Sequence, residues 1–196
     1  MCARYVIEPD EAEIRSIIDE AVKHLGETEN VKTGEIFPTN NAPVLALGEN
    51  SMRPYIMKWG FPHFRGKGVI INARAETVLE KRTFRESVLS RRCIIPASGF
   101  YEWKSNETKH KDKYLFTLPQ SGVLYIAGFY NSFIDDGIKT NKFIIITTAA
   151  NKSMSDIHNR MPLVLQKDDI RPWLSNSYAA FKMLSNTPAE LEKVMV

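Results

Sequence analysis

The chain has 196 residues, 43% of them hydrophobic and 25% charged, with ten glycines, ten prolines and two cysteines. This is the composition of one folded domain, and it excludes a disordered, collagen-like or repeat protein. Twenty-six Lys and Arg against 23 Asp and Glu leave a net charge of +3, which suits an anionic partner without demanding one.

In chain order, Tyr5-Val6-Ile7 predicts a short strand. Asp10 then reads as the N-cap of a helix whose Ile14, Ile17, Ile18, Ala21, Val22 and Leu25 recur at helical spacing, with Gly26 ending it. Short β-branched and aromatic runs follow at Val44 to Leu47, Tyr55 to Trp59, Val69 to Ile71, Cys93 to Ile95, Tyr114 to Leu118, Val123 to Phe129, Phe143 to Thr148 and Leu163 to Leu165. Helices are predicted at Thr83 to Ser90, at Lys167 to Leu174 and at Thr187 to Val194, where Thr187-Pro188 supplies a cap and a first-turn proline. The strands are too many and too close together for βαβ units. The expected fold is therefore α+β: a single domain over 1–196 with a curled antiparallel, barrel-like sheet and a few flanking helices.

The charged stretch Lys104 to Lys113 reads as a solvated hairpin loop. The longest apolar runs fall far short of the roughly 20 residues of a membrane-spanning helix, and the N-terminus has no apolar signal core. The expected location is the cytoplasm, where two thiols are not expected to form a structural disulfide. No exposed apolar stripe is evident, so a monomer is expected. No Cys-x-x-Cys, His-x3-His or Gly-rich phosphate loop occurs, so neither a metal nor a cofactor is expected. His24, His63 and His110 read as surface residues, and Cys93, ahead of Ile94-Ile95, as a small buried hydrophobe.

Chemistry enters with Cys2. Removal of Met1 leaves this residue with both a free α-amine, titrating near ~7.7 to 8.0, and a thiol near ~8.5. Such an aminothiol can act as an N-terminal nucleophile on an amide, or condense with an aldehyde to an imine that the thiol closes into a thiazolidine. Three further segments carry polar residues where pattern alone asks for simple strands and turns. They are Ile70-Ile71-Asn72-Ala73-Arg74-Ala75-Glu76-Thr77, Ile95 to Trp103 with Glu102 among aromatics, and Asp156-Ile157-His158-Asn159-Arg160-Met161-Pro162.

Together with Met1-Cys2-Ala3-Arg4-Tyr5, Pro38 with Asn41-Ala42-Pro43, Lys58 to Pro62, Arg92 to Ala97 and Ile145 to Asn151, these segments resemble the SOS-response-associated peptidase (SRAP) family over almost the whole chain. The family usually has Gly where Ala3 stands and Asp where Asn159 stands. The resemblance implies a cytoplasmic, nucleoid-associated protein that recognises abasic sites in single-stranded DNA and links its N-terminal cysteine to the sugar. On that reading Cys2 is the nucleophile. Glu102, desolvated by its neighbours, shuttles the proton that opens the sugar hemiacetal. Asn72 holds the Cys2 amine or a sugar hydroxyl, and His158 is a second acid/base group. Arg74 and Arg160, with Arg4 as a weaker third, suit the flanking phosphates. Trp59 and Trp103 either stack on neighbouring bases or pack in the core. The rival function is an N-terminal-nucleophile peptidase or amidase whose first turnover removes Met1.

Overall fold

The computed structural model describes residues 2–25, 31–49, 51–63, 66–105 and 111–196. It opens with β1 (Arg4–Ile7) and α1 (Ala12–Leu25). Ile14 and Ala21 of α1 are buried, and Ile17 and Ile18 pack half-buried on the core, as their spacing predicts. Asp10 does not cap this helix; its carboxylate takes Arg15 Nη2 at 3.2 Å. Next come β2 (Gly34–Ile36), β3 (Asn41–Leu47), β4 (Met52–Trp59), β5 (Phe61–Pro62), β6 (Val69–Ile70), β7 (Asn72–Arg74), α2 (Arg82–Ser90), β8 (Arg92–Ala97) and β9 (Gly99–Ser105). The chain ends through β10 (Lys111–Thr117), β11 (Leu124–Asp135), β12 (Ile138–Ala149), β13 (Arg160–Pro162), β14 (Val164–Leu165), α3 (Ile170–Ser175), α4 (Ser177–Met183) and β15 (Glu192–Met195).

Strands β12, β4, β3, β8 and β11 pair in that order, and β11 returns to β12, so five strands close on themselves. All these pairings are antiparallel except β12 with β4. The expected α+β, barrel-like architecture is thus present. Closure brings strands close together at Gly128, where a Cβ would stand 2.5 Å from Ile95 Cδ1 and 2.6 Å from the Ile144 carbonyl oxygen. Only glycine fits there. A second sheet, in the order β15, β10, β9, β1, β2, turns Tyr5, Ile7, Ile36, Phe100 and Phe116 into the core, where they meet Trp59, Phe143 and Ile94 from the barrel strands.

The end of the chain differs from expectation. Residues Thr187 to Val194 form no helix; Glu192–Met195 is a strand on β10. The carbonyls of Pro188 and Ala189 accept from Asn151 Nδ2 at 3.0 and 2.9 Å, and Leu191 N–H donates to Ser153 Oγ at 3.0 Å. Backbone groups that a helix would need are taken by the loop after β12, and the last residues complete the sheet beside β10. Helix α4, absent from the sequence reading, is capped by Asn176, whose side chain accepts from Ala179 N–H at 3.1 Å. Arg92, 6% exposed, ties two helix ends together: its guanidinium donates to the carbonyls of Val88 and Leu89 at the end of α2 and of Trp173 and Leu174 in α3.

Candidate active site

Cys2 lies just ahead of β1 and is fully buried. Asn72 Nδ2 donates to the Cys2 carbonyl at 2.9 Å, tying the first residues of the chain to β7. The thiol donates to the Arg4 carbonyl at 3.6 Å. Burial first, and the nearby Glu102 carboxylate second, push its pKa up to about 12, so the resting sulfur is protonated. Glu102 itself is buried on β9, with Oε1 accepting from Trp103 N–H at 3.3 Å. The site therefore begins as a buried cluster in which Cys2, Asn72 and Glu102 come together from three distant segments.

Pairing around the end of β12 brings in the other residues. β7 pairs with one edge of β12, Asn72 opposite Ile145 and Arg74 opposite Thr147. β13 pairs with the other edge, Arg160 opposite Ala149. His158 sits in the turn before β13. Its Nδ1 lies 2.9 Å from Arg160 N and 3.2 Å from Arg160 O, so it meets a donor when unprotonated and an acceptor when protonated. The Arg160 guanidinium reaches across β12 to Glu76, with Nη1 to Oε1 at 2.6 Å and Nη2 to Oε2 at 2.9 Å, and Nη2 also donates to Thr147 O at 2.6 Å. That fork holds the Glu76 pKa below the usual carboxylate range.

Asn72 and Arg74 also line an open cleft of about 670 Å³ whose wall includes Lys81, Arg82, Thr83 and Phe84. Arg74, Lys81 and Arg82 are exposed, and none of them forms an ion pair among the described residues. Segment 72–80 is a ridge: beyond it a second cleft, of about 610 Å³, is lined by Glu76, Glu80, Thr148, Phe181 and Asn186. Lys81 and Arg82 escaped the sequence reading, although they follow the Asn72-to-Thr77 motif within a few residues.

The aromatic and basic candidates fall differently from expectation. Trp59 is 0% exposed; its ring packs against Tyr5 at 5.1 Å and Phe143 at 6.3 Å, and Nε1 donates to Ile71 O at 3.1 Å. A ring with no exposed face offers a base no surface, so Trp59 belongs to the core and not to a stacking site. Trp103 is half-buried and alternates with Glu102 along β9, so it faces the other side of the sheet, where Lys113 Nζ stands 5.9 Å from its ring. Arg4 also faces that side; it pairs with Glu35 at 3.5 Å and lies 3.9 Å over the Phe37 ring. The fork of Arg160, expected for phosphate, is occupied by Glu76. Cys93 is buried, as expected, and burial raises its thiol pKa far up. His63 is exposed; His110, the side chain of His24, Gly26 and the middle of the Lys104-to-Lys113 loop lie outside the described residues. Ala3 is half-buried and Asn159 exposed. No helix among the described residues is long and apolar enough to cross a membrane.

A family model described as SOS response associated peptidase (SRAP) matches residues 1–196. The chain is 35% identical over 188 residues to the abasic site processing protein YoaM of Bacillus subtilis, a match covering 89% of this chain and 79% of that one. It is 26% identical over 177 residues to the abasic site processing protein YedK of Escherichia coli, with the same shares of 89% and 79%. A solved structure from Bordetella bronchiseptica shares the fold, with a TM-score of 0.81 at 22% identity over 100% of this chain and 99% of that one. The chain belongs to the SOS response associated peptidase family.

Proposed function

We propose that this protein captures abasic sites in single-stranded DNA through an N-terminal Cys2 exposed by removal of Met1. The observation that carries the reading is the hydrogen bond from Asn72 to the Cys2 carbonyl, which fixes an aminothiol-to-be beside a buried carboxylate, Glu102, and at the edge of a cleft lined by Arg74, Lys81 and Arg82, three exposed cations with no ion pair among the described residues. Relatives named for abasic site processing, matched over most of the chain, support the same substrate.

An abasic deoxyribose is a closed hemiacetal with a little open aldehyde. Glu102 removes the proton from the anomeric hydroxyl and returns one to the ring oxygen, which opens the sugar. The α-amine adds to the aldehyde carbon and water leaves, giving an imine. The thiol then adds to the carbon of the protonated imine, the π pair passes to nitrogen, which becomes a neutral amine, and the thiol proton goes to a base, closing a five-membered thiazolidine. His158 serves as the second acid/base group for imine formation and its reversal. Arg74, with Lys81 and Arg82, holds flanking phosphates. Arg160 reaches a phosphate only by exchanging Glu76 for it. Trp103 and Arg4, on the far side of the sheet, are assigned to a more distant part of the strand.

The deciding experiment masks the amine. A variant with an irremovable residue ahead of Cys2 binds single-stranded DNA but forms no heat-stable adduct with an abasic oligonucleotide. Cys2→Ala, processed to a free amine, gives a link that borohydride traps and that hydrolyses without reductant. An equally stable adduct from the masked variant, or from unreduced Cys2→Ala, refutes the aminothiol mechanism. Cleavage of a peptide amide by the processed protein, with no adduct on abasic DNA, favours the peptidase function instead.

A further inference from the structure

The buried polar side-chain atoms without a hydrogen-bond partner among the described residues include Asn72 Oδ1 and Tyr5 Oη. Asn72 already has a use. Tyr5 has none, yet it is fully buried three residues from Cys2, between Ile36 and Phe100 of the flanking strands and edge-on to Trp59. A phenylalanine would fill the same space without stranding a hydroxyl. An unpaired buried hydroxyl is a standing cost in the resting protein, so the question is which state of the site gives it a partner.

Burial first, then the negative charge that Cys2 or Cys93 would carry as a thiolate, disfavours ionisation of Tyr5. The phenol therefore keeps its proton. The resting Cys2 thiol donates to the Arg4 carbonyl, and a backbone hydrogen bond at Arg4 offsets only part of what burial and Glu102 do against the thiolate. Glu102 adds more negative charge, and the Asn72 amide N–H is committed to the Cys2 carbonyl. The titratable groups that bear electrostatically on Tyr5 are the two thiols; its strand neighbours Ile36 and Phe100 and the Trp59 ring beside it are uncharged.

We propose that the Tyr5 hydroxyl is a further catalytic group, the hydrogen-bond donor to the Cys2 sulfur as it attacks the imine carbon. This rests on the capture reading above. In the closing step the sulfur–carbon bond forms, the electron pair of the protonated imine goes to nitrogen, and the thiol proton goes to the Glu102 carboxylate. Tyr5 keeps its own proton throughout. The sulfur is a strong acceptor only while it carries negative charge, so the hydrogen bond is made in the transition state and is lost in both the thiol and the finished thioether.

Tyr5→Phe in the processed full chain, assayed on a single-stranded abasic oligonucleotide, tests this. Binding to intact and abasic strands and the yield of borohydride-trapped imine should match wild type. Conversion to the heat-stable unreduced adduct should slow ~10- to 100-fold, the range for a hydrogen bond to a charged group, with its pH–rate profile displaced to higher pH. The urea midpoint should hold or rise. Wild-type closure with an unchanged profile overturns the proposal, as does a loss of imine trapping together with a lower urea midpoint, which marks a structural role. A wild-type protein whose link always needs reductant overturns the thiazolidine reading itself, and with it the step Tyr5 assists.

Discussion

A thiol that is buried and protonated at rest leaves a measurable trace in both reactivity and stability. An unfolded thiol ionises near ~8.5, whereas burial and Glu102 push Cys2 up to about 12. At about pH 8 that leaves ~1 thiolate in 10,000 in the folded protein against ~1 in 4 unfolded. Iodoacetamide, which reads the thiolate, should therefore alkylate Cys2 about three orders of magnitude more slowly than a free cysteine peptide. The sign for stability follows from the raised folded value. Below about pH 8.5 both states hold the proton and the contribution is complete; above it the unfolded thiol ionises and the folded one does not. Each further pH unit removes ~1.4 kcal/mol until the folded value is reached. Between about pH 8.5 and 10.5 Cys2 should cost the protein ~3 kcal/mol of folding stability. Cys93, raised by burial as well, adds a loss of the same sign. Cys2→Ala removes the first share alone, so its stability should fall less steeply with pH than that of wild type. Urea denaturation followed by circular dichroism at neutral pH and at two alkaline values measures this. Parallel stability–pH curves for Cys2→Ala and wild type, or alkylation at the rate of a free cysteine, would refute a shielded resting thiol.

Arg92→Met should destabilise the fold by ~3 to 5 kcal/mol, because it strands helix-end carbonyls in the interior; at this chain length that is a thermal shift of about 10 °C or more, read by calorimetry. A loss under ~1 kcal/mol would show that water replaces the guanidinium there. Lys81→Ala and Arg82→Ala should each weaken binding to single-stranded DNA, intact or abasic, and each lower the slope of log affinity against log salt by ~0.7 to 1. Titrations at several salt concentrations decide this; an unchanged slope in both variants takes the phosphate track out of this cleft.

How far the sequence goes depends on whether a signal is local. Helix α1 is legible because its stripe Ile14, Ile17, Ile18 and Ala21 repeats along one face. Each candidate has a local signal: Cys2 follows Met1, Asn72 opens a polar segment at the start of β7, and Glu102 is a carboxylate among the aromatics of β9. The barrel-like sheet is legible but not which strands close it: β11 and β12 form a local hairpin, yet β12 must also find β4 and β11 must find β8, far earlier in the chain. The C-terminal residues show why local signals fail. Thr187-Pro188 is a sound helix start, but Asn151 and Ser153, far earlier in the chain, take the backbone groups that a helix would use. Trp59 is ambiguous in sequence for the same reason, because whether a tryptophan is a wall or a platform depends on what Tyr5 and Phe143 do around it. The Tyr5 hydroxyl leaves no sequence signal at all, because in strand β1 Tyr reads as one more apolar residue.

The distribution of charge argues that binding and chemistry are separate tasks in this site. The cations that reach solvent, Arg74, Lys81 and Arg82, stand in the open cleft. The cation at the centre, Arg160, is already neutralised by Glu76. Free charge at the rim attracts a polyanion from a distance and through salt, but free positive charge beside Cys2 would hold its sulfur as a thiolate before substrate arrives. Burial first, and Glu102 second, keep that sulfur protonated, while Arg160 spends its charge on Glu76. On the proposed reaction, negative charge on sulfur arises only at the moment of bond formation, where the Tyr5 hydroxyl, buried, neutral and without a hydrogen-bond partner among the described residues, is the proposed donor; Asn72 fixes the backbone of Cys2 without adding a charge that would draw a phosphate towards it.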